Sequence, residues 1–130
     1  IRYRLVGSEM CIRDRTKAFK GIAVSSGNSF VHETESQVIL NGSYNINFTM
    51  DLVLKDTCLF DNLAKKLNAP LEISPKIVEI FKDGKKKYGS RAWSSMIVKR
   101  MEDLNKINFR ADGFPDELVD NEPEEKGYEI

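Results

Sequence analysis

The stretch Phe48 to Leu67, FTMDLVLKDTCLFDNLAKKL, carries the longest uninterrupted helical periodicity in the chain. At about 100° per residue, Phe48, Leu52 and Leu59 share one line, with Val53, Phe60, Leu63 and Leu67 beside it, so one broad apolar arc is predicted to face the core. Asn47 is a candidate cap, because an Asx side chain can accept from first-turn N–H groups. Asp51 suits the positive end of the helix dipole, and Lys65 and Lys66 suit the negative end. Asn68 can take a left-handed exit, and Pro70 forbids continuation. Lys55 falls on the edge of the arc and Asp56 well inside it.

The remaining elements follow from the same periodicity. Thr16 to Val24 reads as a short helix or the tail of a longer one, with Phe19, Ile22 and Ala23 inward. Ser25 to Ser29 is a turn in which Gly27 suits a left-handed position and Asn28 or Ser29 can cap the next helix. That helix runs from Phe30 to Leu40, packing through Phe30, Val31, Thr34, Val38 and Leu40, with His32 on its polar side. Asn41-Gly42-Ser43 ends it. Ser74-Pro75 starts a further helix with an apolar stripe of Ile77, Val78, Ile80, Phe81 and Tyr88, closed by Gly89. Its Lys85-Lys86-Lys87 run complements the dipole more simply than it suggests a phosphate site. A last helix is expected over Ser90 to Asp103, with Ala92, Trp93, Met96, Ile97 and Leu104 inward. From Phe109 onward periodicity is lost, and an acidic, extended tail is expected in which Phe114, Leu118, Val119 and Tyr128 could dock. No strand-type alternation occurs. The fold class predicted is all-α, a small helical bundle around one long central helix with an irregular acidic C-terminal tail.

Composition adds limits. The chain has 130 residues, 41% hydrophobic and 31% charged, with 20 basic and 20 acidic side chains. Such a balance fits one soluble domain and favours neither nucleic acid nor an anionic membrane surface as partner. No apolar run approaches the roughly 18 residues of a membrane span. The two cysteines, Cys11 and Cys58, make no disulfide framework, and a reducing cytoplasm is the default expectation. With His32 as the single histidine, neither a histidine-rich metal site nor a Ser-His triad is expected.

Two residues of the central helix raise chemistry. Lys55 has a possible partner in Asp51, four residues earlier, or its stem can lie on apolar surface with the ammonium in water. Asp56 has only Leu52, Val53, Leu59 and Phe60 at helical neighbour spacings, so it needs a tertiary ion pair or a cleft-facing position.

These residues also carry a resemblance. Phe48-Thr-Met-Asp-Leu-Val-Leu-Lys55-Asp56 resembles the F-x-x-x-L-x-x-K-D segment in the C-terminal helical domain of 3-hydroxyisobutyrate dehydrogenases and the wider β-hydroxyacid dehydrogenase family. Ser25-Ser26-Gly27-Asn28-Ser29-Phe30 resembles the S-S-G-R/N-S-W/F turn of the same domain. The resemblance implies an oxidoreductase that interconverts a small β-hydroxy acid and its semialdehyde with NAD or NADP. It implies that Lys55 contacts the cofactor, while Phe48, Asp56 and the turn residues Ser25, Ser26 and Gly27 line the substrate cleft. It also implies a homo-oligomeric parent enzyme whose N-terminal domain holds most of the nucleotide.

The family's catalytic lysine lies in a K-x-x-N motif at the start of the helical domain. Lys17 and Lys20 do not match it, and no G-x-G-x-x-G fingerprint is present. The expected boundaries are 16–108 for the helical domain, truncated at its start, and 109–130 for the tail. Residues 1–15 resemble the conceptual translation of a sequencing-library adaptor, the competing reading being a basic N-terminal arm. Setting them aside lowers the bases from 20 to 16 and the acids from 20 to 18, a net charge of about −2. A chain of this content is expected to be inactive alone. A non-catalytic helical interaction module is the alternative.

Overall fold

The structure is a computed structural model, which describes the backbone of residues 7–120 and 127 and the side chains of that range from Arg15 onward. Five α-helices and one 3-10 turn make up its described elements: α1 (Gly7–Ala23), α2 (Phe30–Asn41), α3 (Met50–Lys66), α4 (Ser74–Tyr88), the 3-10 turn Ser94–Val98, and α5 (Lys99–Asn105). The all-α bundle expected from the pattern is the observed class. The most extensive helix–helix contact is that of α3 with α4, while α1 packs on α2.

Several boundaries and faces differ from the sequence expectation, for definable reasons. The central helix begins at Met50 instead of Phe48, and Asn47 caps nothing, having a left-handed φ of 55°. Phe48 and Thr49 are instead held extended against the segment before the 3-10 turn. Thr49 bridges Trp93, Met50 N–H donates to Ala92 O at 2.9 Å, and Ser94 N–H donates to Phe48 O at 2.8 Å. The same pairing breaks the single helix expected over Ser90 to Asp103, leaving the 3-10 turn and α5. In that region Ser94, Ser95 and Glu102 are buried, and Leu104 points outward. At the other end of α3 the reading holds: Asn68 is left-handed at φ 51°, and its N–H donates to Lys65 O.

The face of α3 that packs is not its apolar arc. Met50, Asp61 and Ala64 are buried, with Leu54 and Thr57 half-buried on the same line. Those five positions fall within about 40° of one direction at 100° per residue, about 130° from the centre of the arc. Gly84 of α4 explains the choice. A Cβ there would sit 2.5 Å from Ile97 Cδ1 and 3.0 Å from Met50 Sδ, so its absence lets α4 close on Met50. Leu59, Phe60, Leu63 and Leu67 consequently stay exposed, and Ile77 of α4 joins them. Asp61, not Asp56, is the buried carboxylate, and Lys65 pairs with it at 2.7 Å.

Smaller corrections concern α2 and its entry. Ser29 caps the helix by accepting from His32 N–H at 3.0 Å, as allowed, but Gly27 is not left-handed. Ser25 Oγ closes that turn instead, donating to Ile22 O and accepting from Gly27 N–H. Phe30 and Val31 are exposed, while Thr34, Val38 and Leu40 enter the core. His32 is half-buried, not solvated. Its Nε2 bonds with Phe19 O at 2.9 Å, and its ring stacks at 4.9 Å on Phe19.

One buried carboxylate ties the C-terminal segment to the bundle. Glu102, 2% exposed, accepts from Tyr44 Oη at 2.7 Å, from Phe109 N–H at 2.7 Å and from Arg110 Nη1 at 2.8 Å. Arg110 Nη2 also donates to Tyr44 Oη at 2.7 Å. Its stem crosses the Cα of Gly42, where a side chain would collide with the guanidinium, so Gly42 meets both a left-handed φ of 99° and this close approach. The tail then follows the bundle. Ala111 N–H donates to Leu40 O, Asn41 Nδ2 donates to Phe114 O, and the Phe114 ring stands edge-on to Phe19 at 5.2 Å. Docking of Phe114 is thus observed, whereas Tyr128 lies outside the described residues. Arg15 reaches the same segment, donating to Arg110 O at 2.9 Å.

Burial pushes the Glu102 carboxyl upward, but hydrogen bonds from Tyr44, the Phe109 N–H and Arg110 outweigh it and hold the group below its ordinary 4.5. A depressed carboxyl contributes stability that is present above its unfolded value and lost as pH falls through its folded value. Chemical denaturation of the wild type should therefore show stability falling once the pH drops below about 4.5, with that acid slope reduced in Glu102→Gln. The same variant should lose about 3 kcal/mol at neutral pH, the low end for a broken buried ion pair because Arg110 keeps partial solvent access. Tyr44→Phe should lose about 1–2 kcal/mol, and equal stability of wild type and both variants would contradict the assigned role. At high pH the sign is opposite. Tyr44 is pushed up to about 12 by burial and then by its bond to Glu102, so stability present below 10 should decline between 10 and 12.

Candidate functional site

The first turns of α3 present the K-D pair. Thr49 occupies the cap position, but its hydroxyl donates to Asp51 Oδ1 instead of capping the helix. Asp51 also accepts from Leu52 N–H at 3.1 Å and faces Arg91 at 3.9 Å. The Thr49 hydroxyl, with lesser help from Arg91 and the two backbone N–H groups, holds the Asp51 carboxyl below its ordinary range despite some desolvation. Asp51 is thus engaged toward the loop, and the expected Lys55–Asp51 pair does not form. Lys55 Nζ instead lies 3.2 Å from Asp56 Oδ1, both side chains more than half exposed.

Three separate places receive the residues singled out from the sequence. Lys55 and Asp56 are adjacent on the solvent side of α3. Asp56 also sits at the edge of a groove of about 540 Å³ between α3 and the start of α4, which Thr57, Phe60, Leu71, Ile73 and Ile77 line. Phe48, 38% exposed, belongs to a different groove of about 420 Å³, formed by α2, the start of α3 and the 3-10 turn. Ser25, Ser26 and Gly27 form the exposed α1–α2 turn and line neither groove. The structure therefore brings Lys55 and Asp56 together and leaves Phe48 and the turn apart from them.

The arrangement has definite chemical capacity. An exposed Lys–Asp pair is worth about 0–1 kcal/mol, so Lys55 can exchange Asp56 for a ligand oxygen at little cost. Lys55 could hold one anionic or carbonyl edge of a nucleotide, which is the fit to a dinucleotide that the described residues offer. Asp56 can accept a hydrogen bond at the mouth of an apolar groove.

Sequence reasoning missed the charge in the Phe48 groove. Glu35 lines it, half-buried, and burial raises its carboxyl above the ordinary 4.5. The signal was available: Val31 and Ile39 stand four residues to either side and Val38 three residues on, so the apolar flanking falls short of that around Asp56 only at His32. It also missed Ser94 and Ser95, which enter the groove wall only because the helix expected there is broken.

Among the described residues no helix is long and apolar enough to cross a membrane. No curated protein and no solved structure matches the chain. The family model described as NAD-binding of NADP-dependent 3-hydroxyisobutyrate dehydrogenase matches residues 9–101, including both the Ser25–Phe30 turn and the Phe48–Asp56 segment. With more than half of its length matched in this way, the chain belongs to the family of NAD-binding domains of NADP-dependent 3-hydroxyisobutyrate dehydrogenases.

Proposed function

We propose that this chain is the helical, cleft-closing part of an NAD(P)-dependent oxidoreductase that interconverts a small β-hydroxy acid and its semialdehyde. The family match over the K-D segment is the observation that carries this reading. Its support from geometry is the position of Lys55, whose ammonium is open to solvent and, among the described residues, engaged only by an exposed neighbour. When bound, the nicotinamide supplies or takes the hydride. Lys55 orients the nucleotide from the α3 side, where an ammonium suits phosphate or carboxamide oxygens. Phe48, Asp56 and the Ser25–Gly27 turn serve the substrate cleft, which closes when this domain meets a nucleotide-binding domain. The single observation that favours an interaction role is the bare arc of α3, Leu59, Phe60, Leu63 and Leu67. We read that surface as one that another domain or subunit of the parent enzyme covers, a contact within the oxidoreductase, not a separate function.

By itself the chain is expected not to reduce a semialdehyde. No K-x-x-N lysine stands at the start of its helical domain, the Lys65–Asn68 string lying at the far end of α3, and it holds no glycine-rich nucleotide fingerprint; an acid–base group alone contributes about 10²–10⁴-fold. Cofactor-dependent turnover of any small semialdehyde by the purified chain would overturn this.

The role of Lys55 is measurable once the chain is joined to the nucleotide-binding half of a family member. Isothermal titration with NADPH and NADH should show Lys55→Ala weakening binding by about 10- to 150-fold, the equivalent of a hydrogen bond to a charged group. Its melting temperature should stay within experimental error of the wild type. Unchanged affinity in Lys55→Ala would sink the assignment.

A further inference from the structure

The groove that Phe48 shares is chemically odd for a family acting on hydroxy acids. Its walls are largely apolar, with Val31, Ile39, Val53 and Ile97 among them, and Glu35 is the one charged side chain that lines it. Glu35 has no hydrogen-bond or ion-pair partner among the described residues, although every other carboxylate buried to a similar extent or more has one. Asp61 pairs with Lys65, Asp83 with Arg100, and Glu102 with Arg110. A half-buried carboxylate without a partner is destabilising, because desolvation penalises its charged form, and a cation brought to it would relieve the penalty. Ser94 and Ser95, 5% and 2% exposed, line the same groove and, with Ser36, are its neutral polar residues. Ser95 Oγ donates to Tyr44 O and so retains lone pairs that can accept. A volume of about 420 Å³ lies within the range of small-ligand pockets.

The geometry points to a binding site for a small primary ammonium on an apolar stem, its nitrogen ion-paired with Glu35 and its stem lying against Phe48, Val53 and Ile97. Charge complementarity selects this ligand class. An ionised Glu35 repels a carboxylate at the same place, and a neutral alcohol gains only the apolar contacts. The site goes beyond the oxidoreductase reading: it shares Phe48 with the proposed substrate cleft but is centred on Glu35, and it depends on neither Lys55 nor a bound nucleotide.

The test uses the whole chain at about pH 8, above the ordinary carboxylate range. Trp93, the single tryptophan, directly precedes Ser94 and provides the fluorescence readout. n-Hexylammonium should bind saturably and raise the melting temperature, whereas hexanoate should not bind and 1-hexanol should bind at least about tenfold more weakly. The tenfold figure is the smaller end of what a hydrogen bond to a charged group supplies. Glu35→Gln keeps the shape and should lose about tenfold or more of the hexylammonium affinity while leaving hexanol unchanged. Absence of saturable hexylammonium binding, equal binding of hexanol or hexanoate, or an unaltered Glu35→Gln titration would each overturn the site. Circular dichroism verifies that the variant folds; if it does not, the three-ligand comparison on the wild type decides alone. Titration of the Lys55→Ala fusion with NADPH is a separate readout, so failure of the nucleotide reading and failure of this site are distinguishable.

Discussion

The buried carboxylate of Glu102 is the constraint on which the C-terminal third of the molecule depends. It lies almost out of contact with solvent and needs donors on both oxygens. Tyr44 satisfies one oxygen, while the Phe109 N–H and the Arg110 guanidinium satisfy the other. Those donors come from two places in the chain, the loop before α3 and the start of the tail. Meeting the requirement therefore fixes Tyr44 in its left-handed conformation, turns the chain at Lys106, and aims residues 109–114 back across α2. An irregular, acidic segment is ordered in this way without a helix of its own.

A second constraint sets which faces remain for function. Two long-range backbone pairings, Phe48–Ser94 and Met50–Ala92, tie the start of α3 to the segment before the 3-10 turn. With that end fixed and Gly84 admitting α4 against Met50, the packing line of α3 is decided, and its apolar arc is directed outward. The exposed arc, the solvent-facing Lys55–Asp56 pair and the groove beside Phe60 then lie on the parts of α3 that α4 does not cover. The central helix thus shows much of its apolar side to solvent, and exposed contiguous apolar surface of this kind marks contact sites.

Legibility in the sequence followed the range of the interactions concerned. Helix existence depends on local periodicity and on turn chemistry, and both were readable: Pro70, Ser74-Pro75, Gly42 and Gly89 bound the helices close to where they were expected. The Ser25–Phe30 turn and the K-D segment were legible as family motifs, because a motif is a local string. Glu35 was legible in principle, by its apolar neighbours four residues away on each side. Ser94, Ser95 and the Tyr44–Glu102–Arg110 cluster were not, since partners separated by 51 to 66 residues leave no periodic trace.

The sequence by itself determined an all-α fold, the order and approximate limits of its helices, and the family to which the chain is related. It could do so because capping, proline and glycine geometry and the 3.6-residue repeat act within a few residues. Tertiary structure decided which face of α3 is inside, that Asp61 and not Asp56 is buried, and that Lys55 pairs with its neighbour instead of Asp51. Those outcomes turn on the closeness of approach at Gly84 and on the backbone pairing of Phe48–Met50 with Ala92–Ser94. Amphipathicity reports that a face will be covered; only the packed chain specifies whether its own helices or another surface does the covering.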